Sequence, residues 1–472
     1  MTIDSRILEA NGLTDVERQQ LAELIDRFNY YSSRNAVKRK FYEGHVTLGD
    51  VNLGIALPRD LRGLEIGCEW GAKTVDVLAG RSMFDGFVGQ NGQDAELMTQ
   101  IIKDNQLIAE YSKACRDELE FGCTFATLAS DPMIGCRVRF HSPQTAAARW
   151  NGEKNRIDCG MAIIDVERHN EASGDSSWVP TVVHLYNDNA VWVLRRIRTN
   201  NWMAEELPHR MRRPLMEPLV WNATSAKPFG RSRLKKPVRE LIKGYVRTVA
   251  NATIGLEFST APQKYLLGLT DDQYDAVIND KFRTYVGSLI ASTTNPETGE
   301  KPTFGQLPQG TIEPHVQMIR VLATQFSAAT GLSVVDTGVI NDANPTSSDA
   351  ILAQSQTLVL MAEKLNKDNA DHLYAISQMA QAITKGVLPD ALTDDEKNVM
   401  AHFKNPAMPS ISATTDAALK IATARPEFAK TDTFLEMIGF DQADIRRING
   451  QERRARGNAV LAEEFGELSA EA

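Results

Sequence analysis

Between Cys123 and Arg198 the chain runs through strand-like segments joined by breaks too short to hold a helix. CRVRFHS, DCGMAIIDVERH, WVPTVVHLYN and AVWVLRRIR are rich in β-branched and aromatic residues, while NEASGDS and the Asn-Asp-Asn at 187–189 are turn formers. Parallel neighbours need a crossover of a dozen residues or more, so strands joined this closely pair antiparallel, as a meander. That excludes a doubly wound parallel sheet here, and with it the folds that seat a nucleotide at the end of such a sheet. Helical patterns on either side make the expected fold class α+β.

Several of those helices are legible from their spacing. Leu21, Leu24, Ile25 and Phe28 share one helical face ahead of the aromatic stretch NYYSSRNAVKRKFYEG. GQDAELMTQIIKDNQLIAEYSKACRDELEFG places Leu97, Ile101, Ile102, Ile108, Tyr111 and Leu119 at broadly helical intervals, with Gly122 as the exit. After RMRRPLMEP, residues Val238, Leu241, Ile242, Tyr245, Val246 and Val249 define a strongly amphipathic helix. Lys235, Arg239, Lys243 and Arg247 recur every fourth residue on another of its faces, as one basic stripe. A second helix starts near Thr311, with Pro314 in its first turn, Ile312, Val316, Ile319, Leu322 and Phe326 on one face, and Gly331 at its end. The two flank a mixed segment ending in the turn-rich TTNPETGEKPTFGQLPQG. Next, LSVVDTGVINDANPTSSDAI reads as a loop whose Ser347 or Ser348 caps a helix running to about Lys385, with Gly386 and Pro389 as its stop. Nearly forty residues at ~1.5 Å each make this helix on the order of 55 Å long. The remainder reads as largely helical.

The octapeptide GCEWGAKT, residues 67–74, is one residue from the phosphate-loop pattern, with Ala72 where the second glycine belongs. A nucleotide-hydrolysing motor would use Lys73 and Thr74 here, with Asp165 or Glu167 after MAII as the magnesium-binding acid. The lead-in PRDLRGLEI is too charged for a central parallel strand, Glu69 would repel phosphate, and MAII lies in the antiparallel meander. From Leu64 the segment also half-spells a methyltransferase glycine turn, with Glu69 in a glycine's place. The plainer expectation is a tight turn feeding a helix that buries Trp70, Val75 and Leu78.

Other chemical signals are sparse. The eight histidines show no H-x-x-x-H pair and no zinc spacing, G-x-S-x-G is absent, and no catalytic residue, metal site or cofactor is nominated. The five cysteines, Cys68, Cys115, Cys123, Cys136 and Cys159, contain no C-x-x-C pair and read as buried apolar thiols. A formal charge of -9 gives no overall attraction to nucleic acid, so any contact with DNA is local. No apolar run reaches membrane-spanning length, and MTIDSRILEA lacks a signal pattern, so no membrane partner and synthesis in the cytoplasm are expected.

In order along the chain, FYEGHVTLG, AKTVDVLAGRSMFDGF, FGCTFATLASDP, RFHSPQTAAARW, KPFGRSRL, GLSVVDTG, ANPTSSDAI and FKNPAMPSISATTDAALKIATARPEF with FLEMIGFDQADIRRI resemble the portal proteins of tailed bacteriophages. The resemblance is to the branch found in long-tailed phages of actinobacteria. It implies a non-enzymatic ring, usually of twelve subunits, at one capsid vertex of the virion. It also implies a division into a wing at 1–232, a first stem helix at 233–256, a clip at 257–311, a second stem helix at 312–331, a tunnel loop at 332–347, a long spine helix at 348–387 and a helical crown at 388–472. Double-stranded DNA would pass through the ring. The implied partners are the terminase large subunit, the major capsid and scaffolding proteins and a head-tail adaptor, with synthesis in the host cytoplasm. The tunnel-loop residues would be Asp336, Asn341, Asp342, Asn344, Thr346, Ser347 and Ser348. Gly230, Arg231 and Ser232 belong to the family motif. A sliding duplex is trapped by an adhesive wall, so acidic and neutral polar groups suit a constriction, and the basic stripe suits sparse DNA contacts or pairing between subunits. Another oligomeric structural protein of a phage particle remains the alternative within that class.

Overall fold

In the computed structural model the residues described are 3, 5–51, 65–89, 96–170, 176–198, 201–260, 264–267, 299, 303–306, 311–339, 348–407, 411–440, 444–445 and 447–455. The helices are α1 (Asp15–Tyr42), α2 (Trp70–Ala79), α3 (Glu96–Asn105), α4 (Leu107–Phe121), α5 (Lys236–Thr260), α6 (Glu313–Thr330), α7 (Ser348–Lys385), α8 (Asp394–Lys397), α9 (Ile411–Ala424) and α10 (Asp432–Ile438). The strands are β1 (Phe84–Gly89), β2 (Cys123–Asp131), β3 (Gly135–His141), β4 (Ala146–Asn151), β5 (Arg156–Asn170), β6 (Ser176–Tyr186), β7 (Ala190–Arg198), β8 (Asn201–Pro208), β9 (Met216–Val220), β10 (Lys264–Leu267), β11 (Thr303–Gln306) and β12 (Val399–Phe403). Every pairing between these strands is antiparallel, and the fold is α+β. The chain divides into two units: Met1–Ala36, Val75–Arg233 and Ser348–Ala472 form the first, and Val37–Thr74 with Leu234–Ser347 form the second. Val37–Thr74 thus groups with α5 and α6.

The first unit contains the expected meander, divided into two sheets, β4-β5-β6-β7-β8 and β3-β2-β9. Asparagine fixes its turns. Asn187 Oδ1 accepts from the amides of Asn189 and Ala190 at 3.0 and 2.8 Å, closing the β6–β7 hairpin. Asn151 Oδ1 does the same for Glu153 and Lys154 between β4 and β5, at 3.0 Å each. The apolar face of α1 covers the larger sheet. Leu21, Leu24, Ile25 and Phe28 are all buried against Met161, Ile163, Val183, Leu185, Trp192 and Leu194. Removing each such side chain from water contributes about 1.5–3 kcal/mol, which is why this face, rather than helix propensity, sets how α1 lies.

The remaining helices of this unit differ from the sequence expectation in two places. The single helix expected between residues 92 and 122 is broken: Gln106 adopts φ 50°, so α3 stops at Asn105 and α4 starts afresh at Leu107. Asn105 explains the break, because its buried side chain accepts from Val138 N and donates to Cys136 O, at 2.8 and 2.9 Å. Ile108, expected on the inner face, is exposed as a result. Gly122, at φ 107°, does end α4. The second difference is β12, in a region read as helical, which pairs with β1 from Phe84↔Phe403 to Gly89↔Val399. The long helix α7 lies against β2, β3, β9 and β12 and ends at Gly386, in the left-handed region at φ 67°.

In the second unit α5 packs along α6, so closely that a methyl on Gly244 would come within 3.2 Å of Leu322 Cδ2. The segment between them, expected as the clip, lies mostly outside the described residues. Its β10 and β11 pair from Lys264↔Gln306 to Leu267↔Thr303.

Candidate functional site

The stripe residues lie where the spacing put them. Arg239, Lys243 and Arg247 are on α5, and Lys235 immediately precedes it, its carbonyl accepting from Arg239 N at 3.0 Å. They are not equivalent. Lys235 and Arg247 are exposed, Lys243 pairs with Glu240 at 3.3 Å, and the Arg239 guanidinium sits 5.8 Å from the centre of the Phe41 ring. Such stacking orders the cation beside an aromatic ring and takes it out of the freely solvated row. The stripe is therefore two exposed cations, one paired lysine and one packed arginine.

The family-motif residues do a different job. Gly230, at φ 63°, turns the chain where any side chain would overlap the Trp221 carbonyl. Arg231 N donates to that carbonyl at 3.0 Å, Ser232 Oγ donates to Glu120 O, and Arg233 N donates to Leu119 O at 2.9 Å. The chain thereby closes the carbonyl end of α4, whose last groups lack helical partners. The Arg233 guanidinium is buried, reaches Met361 Sδ at 3.5 Å, and is held down to about 10 by loss of water. Phe229 anchors the same turn between Phe125 and Trp150, at 5.7 and 5.9 Å. KPFGRSR, residues 227–233, is thus a tertiary clasp within the first unit.

Residues 67–74 form no phosphate cradle. Helix α2 opens at Trp70, inside the octapeptide, and a side chain on Gly71 would overlap the Phe41 carbonyl oxygen. The Thr74 hydroxyl, which a phosphate loop spends on magnesium, is buried and donates to Trp70 O at 2.8 Å. Trp70, Val75 and Leu78 are buried as expected, on a helix that runs from Trp70 to Ala79. Asp165 lies exposed at an irregularity in β5, its Oδ1 accepting from Val166 N at 2.9 Å.

Trp70 is the residue whose wider role the periodicity concealed. Its ring centroid lies 4.5 Å from that of Tyr245 on α5 and 4.7 Å from that of Phe326 on α6, while its Nε1 donates to Thr337 O at 3.0 Å. Thr337 ends a short 3-10 turn, Val335–Thr337, at the start of the expected tunnel loop. The Asp336 carboxylate accepts from Ser333 N and Ser333 Oγ at 2.9 and 2.8 Å, closing that turn. Asp336 is therefore a structural residue of the loop base. Asn341, Asp342, Asn344, Thr346 and Ser347 lie outside the described residues, and Ser348 is the first residue of α7. The signal for this cluster is a tryptophan, a tyrosine and a phenylalanine each on the inner face of its own helix; nothing in local spacing says that they meet.

Among the described residues no group of acids, histidines and cysteines is placed to hold a metal ion. All five cysteines are free and buried, as expected, and burial pushes the thiols of Cys68, Cys136 and Cys159 up to about 12. No described helix is long and apolar enough to cross a membrane.

The sequence matches no protein-family model and no curated protein. Among solved structures it is similar to a chain in the neck of a native GTA particle computed with C12 symmetry, at 11% identity and TM-score 0.45, covering 79% of this chain and 89% of that one. It is likewise similar to a chain in the neck of an empty GTA particle computed with C6 symmetry, at 12% identity and TM-score 0.45, covering 84% and 94%.

Proposed function

We propose that this chain is a ring-forming structural subunit at the head-tail junction of a tailed-phage particle. Within that class it is the portal subunit, around whose channel double-stranded DNA enters and leaves the head. The observation that carries this reading is the order of elements along the chain: α5 and α6 pack together and flank residues 261–312, and α6 is followed in sequence by a polar stretch and then by the 38-residue helix α7. That order matches the stem, clip, tunnel loop and spine of the portal family that the sequence resembles.

The surface chemistry supports it. Ile312 at the entry to α6, Met318 and Val321 on α6, and Leu256 on α5 are large apolar side chains left exposed in a single copy, and lateral packing of further copies would cover them. Lys235, Lys243 and Arg247 supply sparse charges, few enough for a duplex to slide past. The wing and crown would meet the major capsid and scaffolding proteins, and the clip the terminase large subunit during packaging and a head-tail adaptor afterwards. The subunit is not an enzyme in this reading; DNA is moved by a separate motor. Electron microscopy of the purified protein tests the class: rings with a central opening about as wide as a duplex are expected, and a monomer or an open filament at all concentrations contradicts it.

A further inference from the structure

We infer that Trp70 is a positioning residue for the channel loop, fixing its base, the turn at residues 332–338, through its indole hydrogen bond. The inference rests on reading residues 332–347 as the loop that faces DNA.

Two functions meet in this side chain, and they are chemically separable. Packing between Tyr245 and Phe326 needs only an aromatic plane, and it welds the start of α2 to the helix pair. The Nε1–H is a donor that a buried indole must satisfy, and here its acceptor is the Thr337 carbonyl. A backbone acceptor fixes where the chain passes rather than which residue stands there. The post itself cannot shift easily, since Trp70 is buried and Gly71 beside it touches the Phe41 backbone. From the other side the base is closed by Ser333, whose Oγ and carbonyl oxygen accept from Asp336 N at 3.2 and 3.1 Å. Thr337 N and Gly338 N complete the turn on Val334 O and Val335 O, at 3.1 and 3.0 Å. Gly338, at φ 78°, caps that turn in the left-handed region. The turn at the base of the loop is thus tied to one donor carried on α2, in the octapeptide that mimics a phosphate loop.

The test replaces Trp70 in the full-length protein by 3-benzothienylalanine, which keeps the bicyclic plane and removes only the N–H, with Trp70→Phe as a genetically encoded companion. Amide hydrogen exchange is then followed residue by residue. Exchange at Asp336, Thr337 and Gly338 is expected to rise about fivefold, the effect of losing one ordinary hydrogen bond, with α5 and α6 unchanged. Unchanged exchange at those three amides, or an equal rise throughout α5 and α6, overturns the inference. A second readout separates it from the reading beneath it: particles carrying the isostere are expected to retain less full-length DNA. A loosened turn with normal DNA retention keeps Trp70 as the loop's anchor and removes the channel assignment of residues 332–347.

Discussion

Asn369 Nδ2, on α7, donates to Glu118 Oε2, on α4, at 2.8 Å in the buried heart of the first unit, and donates again to the Tyr111 hydroxyl at 3.0 Å. Tyr111 also meets Ser82 Oγ at 2.9 Å. Loss of water pushes the Glu118 carboxyl up from 4.5 to about 8, the Asn369 amide opposing and Asp368 adding to it. In the unfolded chain the same group titrates in the ordinary carboxylate range, so between about 4.5 and about 8 the folded state holds the extra proton. Stability therefore falls as pH rises through that window and is flat above it. Glu118→Gln, which keeps the shape and cannot ionise, is expected to abolish that slope and to raise stability at pH 8 by a few kcal/mol, measured by denaturant unfolding across pH.

His141 and His184 give the opposite limb. Burial, then neighbouring arginines (Arg139 for His141, Arg195 and Arg139 for His184), hold both rings down at about 4. His141 Nε2 meets Thr127 Oγ1 at 3.0 Å and His184 Nδ1 meets the Tyr186 hydroxyl at 3.3 Å, bonds made by the neutral rings. The unfolded chain binds these protons first, so the contribution of the two neutral rings to stability is full above about 6.5 and is lost as pH falls toward 4. In the Glu118→Gln background, His141→Gln is expected to shallow the remaining acid limb, read from the same unfolding series.

How much of the structure is legible in the sequence depends on whether its cause is local. Leu21, Leu24, Ile25 and Phe28 declare their face because helix period and burial coincide. The meander declares itself through short turns, and Gly122, Gly331 and Gly386 through the left-handed ends they permit. What stays hidden is fixed by distant partners: Asn105 breaks α3 from α4 for the sake of β3, and β12 is a strand only because β1 offers it an edge. The candidate site divides the same way. The basic stripe shows in its four-residue spacing, whereas the packing of Arg239 on Phe41 and of Trp70 on Tyr245 and Phe326 joins residues far apart in sequence.

Lys73→Ala separates a conduit from a motor. Lys73 is exposed and Thr74 is committed to Trp70 O, so the variant is expected to assemble and package as the parent does, with no magnesium-dependent ATP turnover in either. Turnover by the parent that disappears in the variant would restore the motor reading.

Shortening residues 340–345 addresses the loop while leaving its base intact. Ring assembly is expected to be unchanged and the yield of full-length packaged genomes to drop. Normal yield would remove the loop from the DNA path.

Imaging whole particles with the protein labelled is the most direct test of a portal role. Label is expected at a single capsid vertex, as one ring on the path between head and tail. Label distributed over the shell in many copies, or along the tail, would contradict that role.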